Sequence, residues 1–116
     1  MEKDEQIALF EWAELQRHKY PELSFMFHIP NGGSRNKIEA VNLKRQGVKS
    51  GVPDIFLPVP KGGKSGLFIE MKYGKNKLSD NQKKWVEMLH SRGYEIATCY
   101  SWKQAATAII IYLEEE

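Results

Sequence analysis

The chain has 116 residues, of which 41% are hydrophobic and 28% are charged, and its formal net charge is +2. These values predict one soluble domain over residues 1–116, with a single core of modest size. No apolar run approaches the length of a membrane span, the acidic N-terminus does not resemble a signal peptide, and a lone cysteine (Cys99) excludes a disulfide framework. A cytoplasmic protein without a membrane partner is therefore expected.

Hydrophobic periodicity and turn residues predict eight elements. In chain order these are a helix over 3–19, a strand over 24–29, a helix over 36–46, strands over 52–59 and 66–73, a helix that begins after Ser79, a strand over 94–100 and a helix over 101–113. The turn over 60–65 predicts that the second and third strands form a hairpin. The order α-β-α-β-β-α-β-α predicts an α/β fold with a mixed central sheet flanked by helices.

The small net charge hides a basic middle of the chain. Residues 35–84 contain twelve Lys/Arg against four Asp/Glu, a net charge of +8, and the flanks together carry −6. Two of the four acids, Asp54 and Glu70, lie in segments that otherwise read as buried strands. This pattern favours an anionic partner that approaches these acids, although lysines on solvated helix faces would give the same count.

Both strands of the predicted hairpin carry an acid, in the segments GVPDIFLPV and GLFIEMK. Carboxylates are seldom buried in strands without a partner. Because strand side chains alternate between faces, Glu70 and Lys72 share one face with each other. Pairing of the two strands brings Asp54 close to Glu70. The opposite face of the second strand is expected to pack into the core through Leu67, Ile69 and Met71.

Two neighbouring carboxylates hold a hard divalent cation such as Mg²⁺ or Mn²⁺, and the backbone carbonyl of Met71 is a further candidate ligand. Lys72 would lie beside the attacking water or the phosphate and stabilise developing negative charge. The set Asp54, Glu70 and Lys72 therefore indicates hydrolysis of a phosphodiester. The same spacing also fits a structural ion pair between Glu70 and Lys72.

Basic side chains on both sides of these acids are predicted to contact the phosphates of a nucleic acid without reading bases. The alternative for each one is an exposed solubilising charge. The candidates are Arg35, Lys37, Lys44, Arg45, Lys49, Lys75 and Lys77, with Lys83 and Lys84 in the same flanking group.

The histidines and the cysteine give no spacing that suits zinc. His28 ends the short aromatic strand. It is interpreted as a partly buried structural histidine, with proton transfer as the alternative.

Taken in order along the chain, these segments resemble the VRR-NUC branch of the PD-(D/E)xK nuclease superfamily. The resemblance runs over nearly the whole chain, and each short motif alone is much less specific than the ordered series. It includes an acid in the first helix, Asn31-Gly32-Gly33-x-Arg35, Glu39-Ala40-x-x-Leu43-Lys44-x-x-Gly47-Val48, Gly51-Val52-Pro53-Asp54-Ile55, Gly66-Leu67-Phe68-Ile69-Glu70-Met71-Lys72, Leu78-Ser79-x-x-Gln82 and Gly93.

The resemblance implies a restriction-endonuclease-like core in which Asp54 and Glu70 are metal ligands and Lys72 is the catalytic lysine. It adds Gln82 to the catalytic set, with the expected role of orienting water or phosphate. It also implies an acid of the first helix as an outer contact of the metal or its water. Glu2 fits that position best, and the alternatives are Glu5 and Glu11.

By the same resemblance the protein is expected to be a metal-dependent endonuclease that leaves a 5′-phosphate and a 3′-hydroxyl. Stand-alone relatives resemble phage-encoded homodimers that act on branched DNA such as four-way (Holliday) junctions, so a phage origin and action in the bacterial cytoplasm are expected. The alternatives are a nuclease or nickase on ordinary duplex DNA, a DNA-binding module without catalysis, and a structural partner in a larger repair complex.

Overall fold

Four helices and four strands follow one another in the computed structural model, which describes residues 2–30 and 36–116, with the side chain of Glu2 left out. A 3-10 turn at Pro21–Phe25 lies between the first helix and the first strand. The elements of these ranges are α1 (Glu2–Leu15), β1 (Phe27–His28), α2 (Lys37–Arg45), β2 (Ile55–Leu57), β3 (Leu67–Met71), α3 (Asp80–Ser91), β4 (Glu95–Cys99) and α4 (Trp102–Leu113).

The strands form one sheet with the order β1-β2-β3-β4. β1 pairs with β2 and β2 with β3 in antiparallel fashion, whereas β3 and β4 are parallel and are connected through α3. A parallel pair requires such a crossover, because a tight turn can only join antiparallel strands. The predicted mixed sheet flanked by helices is confirmed.

The hydrophobic core lies on one face of the sheet, beneath α1 and α4. Leu9 of α1 and Ile109 of α4 are fully buried in one cluster with Ile55 and Ile69 from the two central strands. The other face of the sheet carries Glu70, and α3 lies over it, since a side chain of α3 hydrogen-bonds to Glu70. One face of the sheet therefore stabilises the fold, and the other carries the acids.

Side chains at the helix ends fix where the helices begin. Ser79 Oγ accepts a hydrogen bond from the Gln82 N–H, and Gln82 Oε1 accepts one from the Ser79 N–H, which completes a capping box at the start of α3. Ser101 caps α4 in the same manner through the Gln104 N–H. The two serines predicted as N-caps therefore hold both helices that flank β4.

All four strands are shorter than the sequence predicts, β1 and β2 by the most, and α1 ends at Leu15 rather than at residue 19. Ser24 and Phe25 were expected in the first strand but belong to the 3-10 turn, which Pro21 favours because its φ angle is already suited to a helical turn. β2 covers only residues 55–57 of the predicted 52–59, since Pro53 and Pro58 have no N–H to donate to a neighbouring strand. Asp54 consequently lies one residue before β2 begins.

Candidate active site

The strand register places Asp54 opposite Glu70. Ile55 pairs with Ile69, so the next step along this antiparallel ladder pairs residue 54 with residue 70, and opposite residues share a face. Asp54 Oδ2 accepts a hydrogen bond of 2.8 Å from the Met71 N–H. The carboxylate of Asp54 also interacts with the side chains of Glu70 and Lys72. The structure thus brings together the three residues on which the predicted chemistry depends.

Glu70 and Lys72 are buried although both are charged residues. Their side chains are 2% and 9% exposed. The Lys72 N–H donates to the Cys99 carbonyl at 2.8 Å, which holds the end of β3 against β4. Burial keeps water from screening these charges, so each one acts more strongly on its neighbours than it would at the surface.

Burial also changes the protonation of Asp54. Loss of hydration raises the pKa of this carboxyl above its ordinary value, because burial disfavours the charged form. The hydrogen bond from Met71 and the positive charges of His28 and Lys72 act in the opposite direction and offset only part of this rise. The carboxylate therefore lies in a site that would gain from additional positive charge.

A hard cation fits the donor set of this site. Within the described ranges no group of three or more His, Cys, Asp or Glu side chains gathers as a metal site, so a cage built from side chains alone is not what the site offers. Asp54 and Glu70 supply two carboxylates, and the Met71 carbonyl faces β2 on the same side as the N–H that binds Asp54. Magnesium typically takes one or two carboxylates and completes its shell with water and substrate phosphate.

Gln82 contacts Glu70 directly. Its Nε2 donates to Glu70 Oε1 at 2.9 Å, and its Oε1 accepts from the Ser79 N–H at 2.8 Å. The side chain was expected to orient water or phosphate. The capping box fixes the amide that holds one oxygen of Glu70, and the contact with water or phosphate stays a prediction.

The acids of the first helix take separate positions. Glu5 Oε1 accepts a hydrogen bond of 3.1 Å from the Trp102 N–H, at the start of α4. Glu11 is exposed and lines a shallow depression on the outside of α1 together with Gln6 and Phe10. The side chain of Glu2, which was expected to serve the site, lies outside the described atoms. Glu5 therefore has a structural partner, and the contact predicted for Glu2 stays a prediction.

His28 differs from its sequence-based interpretation. It is exposed rather than partly buried, and its Nδ1 lies 2.8 Å from the carbonyl oxygen of Asp54. A carbonyl oxygen only accepts, so Nδ1 carries the proton and donates it. The positive charge of His28 also lowers the pKa of the Asp54 carboxyl. This contact was not predictable from the sequence, because it arises only when β1 pairs with β2.

The residues predicted to contact phosphates are exposed where the structure describes them, and the segment that follows α2 approaches the start of α3. At the junction between the exit of α2 and the start of α3, a Cβ on Gly51 would lie 2.8 Å from the carbonyl carbon of Asn81, and Asn81 Nδ2 donates to Ser50 Oγ at 3.4 Å. This close approach places the chain around Lys49 next to α3, whose Gln82 reaches Glu70. The exposed basic residues are Lys37, Lys44, Arg45 and Lys49 on one side and Lys75, Lys77, Lys83 and Lys84 on the other. Arg35 and the glycine-rich segment before it lie outside the described residues.

Every helix in residues 2–30 and 36–116 is too short or too polar to cross a bilayer.

A family model and a solved structure both match this chain along most of its length. The family model for the VRR-NUC domain matches residues 2–103. The solved structure of a VRR_NUC domain protein superposes with a TM-score of 0.83 and 28% sequence identity, over 98% of this chain and 88% of that one. No curated protein sequence matches the chain. The segments that carry Asp54, Glu70, Lys72 and Gln82 all lie within the matched residues.

Proposed function

Because this chain belongs to the VRR-NUC domain family, whose fold is of the nuclease type, we propose that it is a divalent-metal-dependent endonuclease that hydrolyses DNA phosphodiester bonds. The single observation that carries the proposal is the convergence of Asp54, Glu70 and Lys72 at one end of the sheet, where Asp54 binds the Met71 N–H and interacts with the other two. A fold alone would not specify an activity, whereas this arrangement of groups suits a reaction at a phosphate.

The chain's own residues perform distinct tasks in this proposal. Asp54, Glu70 and the Met71 carbonyl hold Mg²⁺ or Mn²⁺, and the bound cation supplies charge neutralisation at the phosphate and a lowered pKa of water. Lys72, buried beside the acids, stabilises negative charge that develops on the phosphate oxygens. Gln82 keeps Glu70 in place through its hydrogen bond of 2.9 Å.

Exposed lysines and arginines on both sides of the acids support DNA as the substrate. The exit of α2 and the start of α3 meet at Gly51 and Asn81, so basic residues from distant parts of the sequence flank one site. Such residues bind the phosphate backbone of any sequence. Recognition of DNA shape is therefore the form of selectivity that suits this surface.

We extend the proposal to a single nuclease domain over residues 1–116 that acts as a homodimer on branched DNA such as four-way junctions. Two sites related by a two-fold axis would suit two symmetric cuts in such a junction. Action in the cytoplasm, including that of a phage-infected bacterium, belongs to the same proposal.

The test is cleavage of end-labelled four-way junction, splayed-arm and plain duplex DNA with Mg²⁺ or Mn²⁺, beside Lys72→Ala. Symmetric, metal-dependent cuts in the junction alone, lost in the variant, are the expected result. Cleavage of every substrate would retain the nuclease and remove the preference for junctions. Binding of DNA without cleavage in either metal would contradict the nuclease activity and indicate a DNA-binding module.

A further inference from the structure

Strand β1 presents an aromatic ring on the sheet face that carries the acids. Phe27 pairs with Phe56, and Phe56 lies two residues after Asp54, so all three belong to the same face of the sheet. The side chain of Phe27 is 48% exposed. Single exposed apolar side chains are common at protein surfaces, so what sets this ring apart is its place on the sheet face of the acids.

The ring of Phe27 packs against an aromatic ring of the neighbouring strand β2. It meets the ring of Phe56 edge to face, with centroids 5.9 Å apart and an interplanar angle of 89°. Phe56 in turn stacks on Phe68 at 4.2 Å, over Gly66, where a Cβ would come within 2.8 Å of the Phe56 ring. The contact with Phe56 favours this orientation of the Phe27 ring, and an edge-to-face pair leaves at least one face of the ring uncovered by Phe56.

The distance from the acids suits a nucleotide close to the cut. Two residues of strand advance by about 7 Å, and neighbouring strands lie about 4.8 Å apart, which together separate Phe27 from Asp54. Successive nucleotides of one DNA strand advance by about 3.4 Å where the strand is stacked as in a duplex, which is taken to hold between the cut and the unpaired base. A base two or three nucleotides from the scissile phosphate would therefore lie at the level of the Phe27 ring.

We propose that Phe27 is a stacking platform for an unpaired base of the substrate, two or three nucleotides from the cut. The proposal rests on the nuclease function proposed above and specifies which DNA the nuclease prefers. A base inside a duplex is already stacked between its neighbours, so only an unpaired or extruded base lies flat on a protein ring. Stacking tolerates every base, and Phe27 thus selects for DNA structure rather than for sequence.

A nucleobase suits this position better than a protein partner. The strand has two residues, and one ring supplies little of the roughly 800 Å² that each partner buries in a stable protein interface. The exposed basic residues before and after the acids in the sequence favour a polyanion as the partner of this protein.

The experiment compares two four-way junctions of one sequence, one with two unpaired nucleotides beside the cut and 2-aminopurine in place of one of them, the other fully paired. We expect Phe27→Ala and Phe27→Leu to slow cleavage of the first substrate by about 5- to 100-fold and to leave the second unchanged. Phe27→Trp, which keeps a ring, should retain the preference. Phe27→Leu guards against misfolding because it keeps an apolar side chain, and Ile111→Ala serves as the matched control at an exposed apolar position of α4.

Several outcomes would overturn the proposal: an equal loss on both substrates, a Leu variant that behaves like the wild type, or a Phe27→Ala protein that changes from dimer to monomer, which would make Phe27 a subunit contact. If the wild type cleaves neither substrate, the nuclease function fails, and 2-aminopurine fluorescence in EDTA then decides the role of Phe27. Quenching by the wild type and Phe27→Trp but not by Phe27→Leu supports stacking, whereas no quenching, or equal quenching by all three proteins, refutes it.

Discussion

Two regions of the molecule depart from ordinary burial in opposite ways: one buries charged side chains, and the other exposes apolar ones. At the acid end of the sheet, Glu70 and Lys72 are 2% and 9% exposed, whereas Ile38 and Val41 of α2 are 75% and 56% exposed. Burying charged groups costs free energy unless hydrogen bonds and opposite charges compensate, and exposing apolar groups forgoes stabilisation. Both departures from ordinary burial lie on the side of the molecule to which the proposed function assigns DNA, so they indicate where function rather than stability determined the sequence.

The largest loss of activity is expected for substitution of Lys72, and it tests whether the buried charges serve function. If the buried lysine stabilises charge at the phosphate, Lys72→Ala should lower kcat by about 10²- to 10³-fold with little change in DNA affinity. Lys19→Ala, at an exposed lysine in the turn after α1, is the matched control and should cleave like the wild type. Single-turnover cleavage and fluorescence anisotropy separate the two quantities. If Lys72→Ala cleaves DNA normally, the buried charge of Lys72 has a structural role and not a catalytic one.

A smaller loss is expected at Gln82, whose two amide atoms connect the capping box to Glu70. Glu is also favourable at this third position of a helix, so Gln82→Glu keeps the capping box, and a lower melting temperature without metal would report repulsion between its carboxylate and that of Glu70. Its carboxylate has no N–H to donate to Glu70, and we expect a loss of activity of about 10- to 100-fold with a higher Mg²⁺ concentration at half-maximal rate. An unchanged metal dependence would contradict the positioning role.

Much of the acid end could be predicted from the sequence because its geometry is local. Asp54 and Glu70 lie on two strands joined by one turn, and alternation along a strand then fixes which side chains share a face. The N-cap at Ser79 is local as well. The contact between Gln82 and Glu70 was not predictable, since it depends on how α3 crosses back over the sheet.

The β1–α2 side was predicted less well, again for physical reasons. An apolar pattern states which side chains of α2 share a face, but not whether any element covers that face, and here Ile38 and Val41 are exposed. The exposure of His28 follows from a strand of two residues at the edge of the sheet. Short edge elements have few local signals, and tertiary contacts decide their extent.

The pH dependence of stability should reveal the cost of burying Asp54. Because its pKa is raised in the folded state, the folded protein binds this proton more tightly than the unfolded chain, and the free energy of unfolding falls as pH rises through the interval above about 3.9. The substitution Asp54→Asn removes this loss of stability at higher pH, and the asparagine Oδ1 can still accept the hydrogen bond from the Met71 N–H. Without divalent metal, the variant should melt at a higher temperature than the wild type at pH 7, and the difference should vanish below the ordinary pKa of Asp. A wild type that is the more stable of the two at pH 7 would show that the charge of Asp54 is already compensated.

The smallest effect is expected at α2. None of its side chains is buried, so Ile38→Ser should change the free energy of unfolding by no more than about 0.5 kcal/mol, whereas Ile69→Ala in the core should cost about 2–5 kcal/mol. Urea unfolding at two protein concentrations measures both. A monomer unfolds independently of concentration, but an interface is lost on dilution. If Ile38→Ser destabilises the protein by more than this and removes a concentration dependence seen in the wild type, α2 packs against a second copy of the chain, and its exposed apolar residues belong to the assembly rather than to the DNA-binding surface.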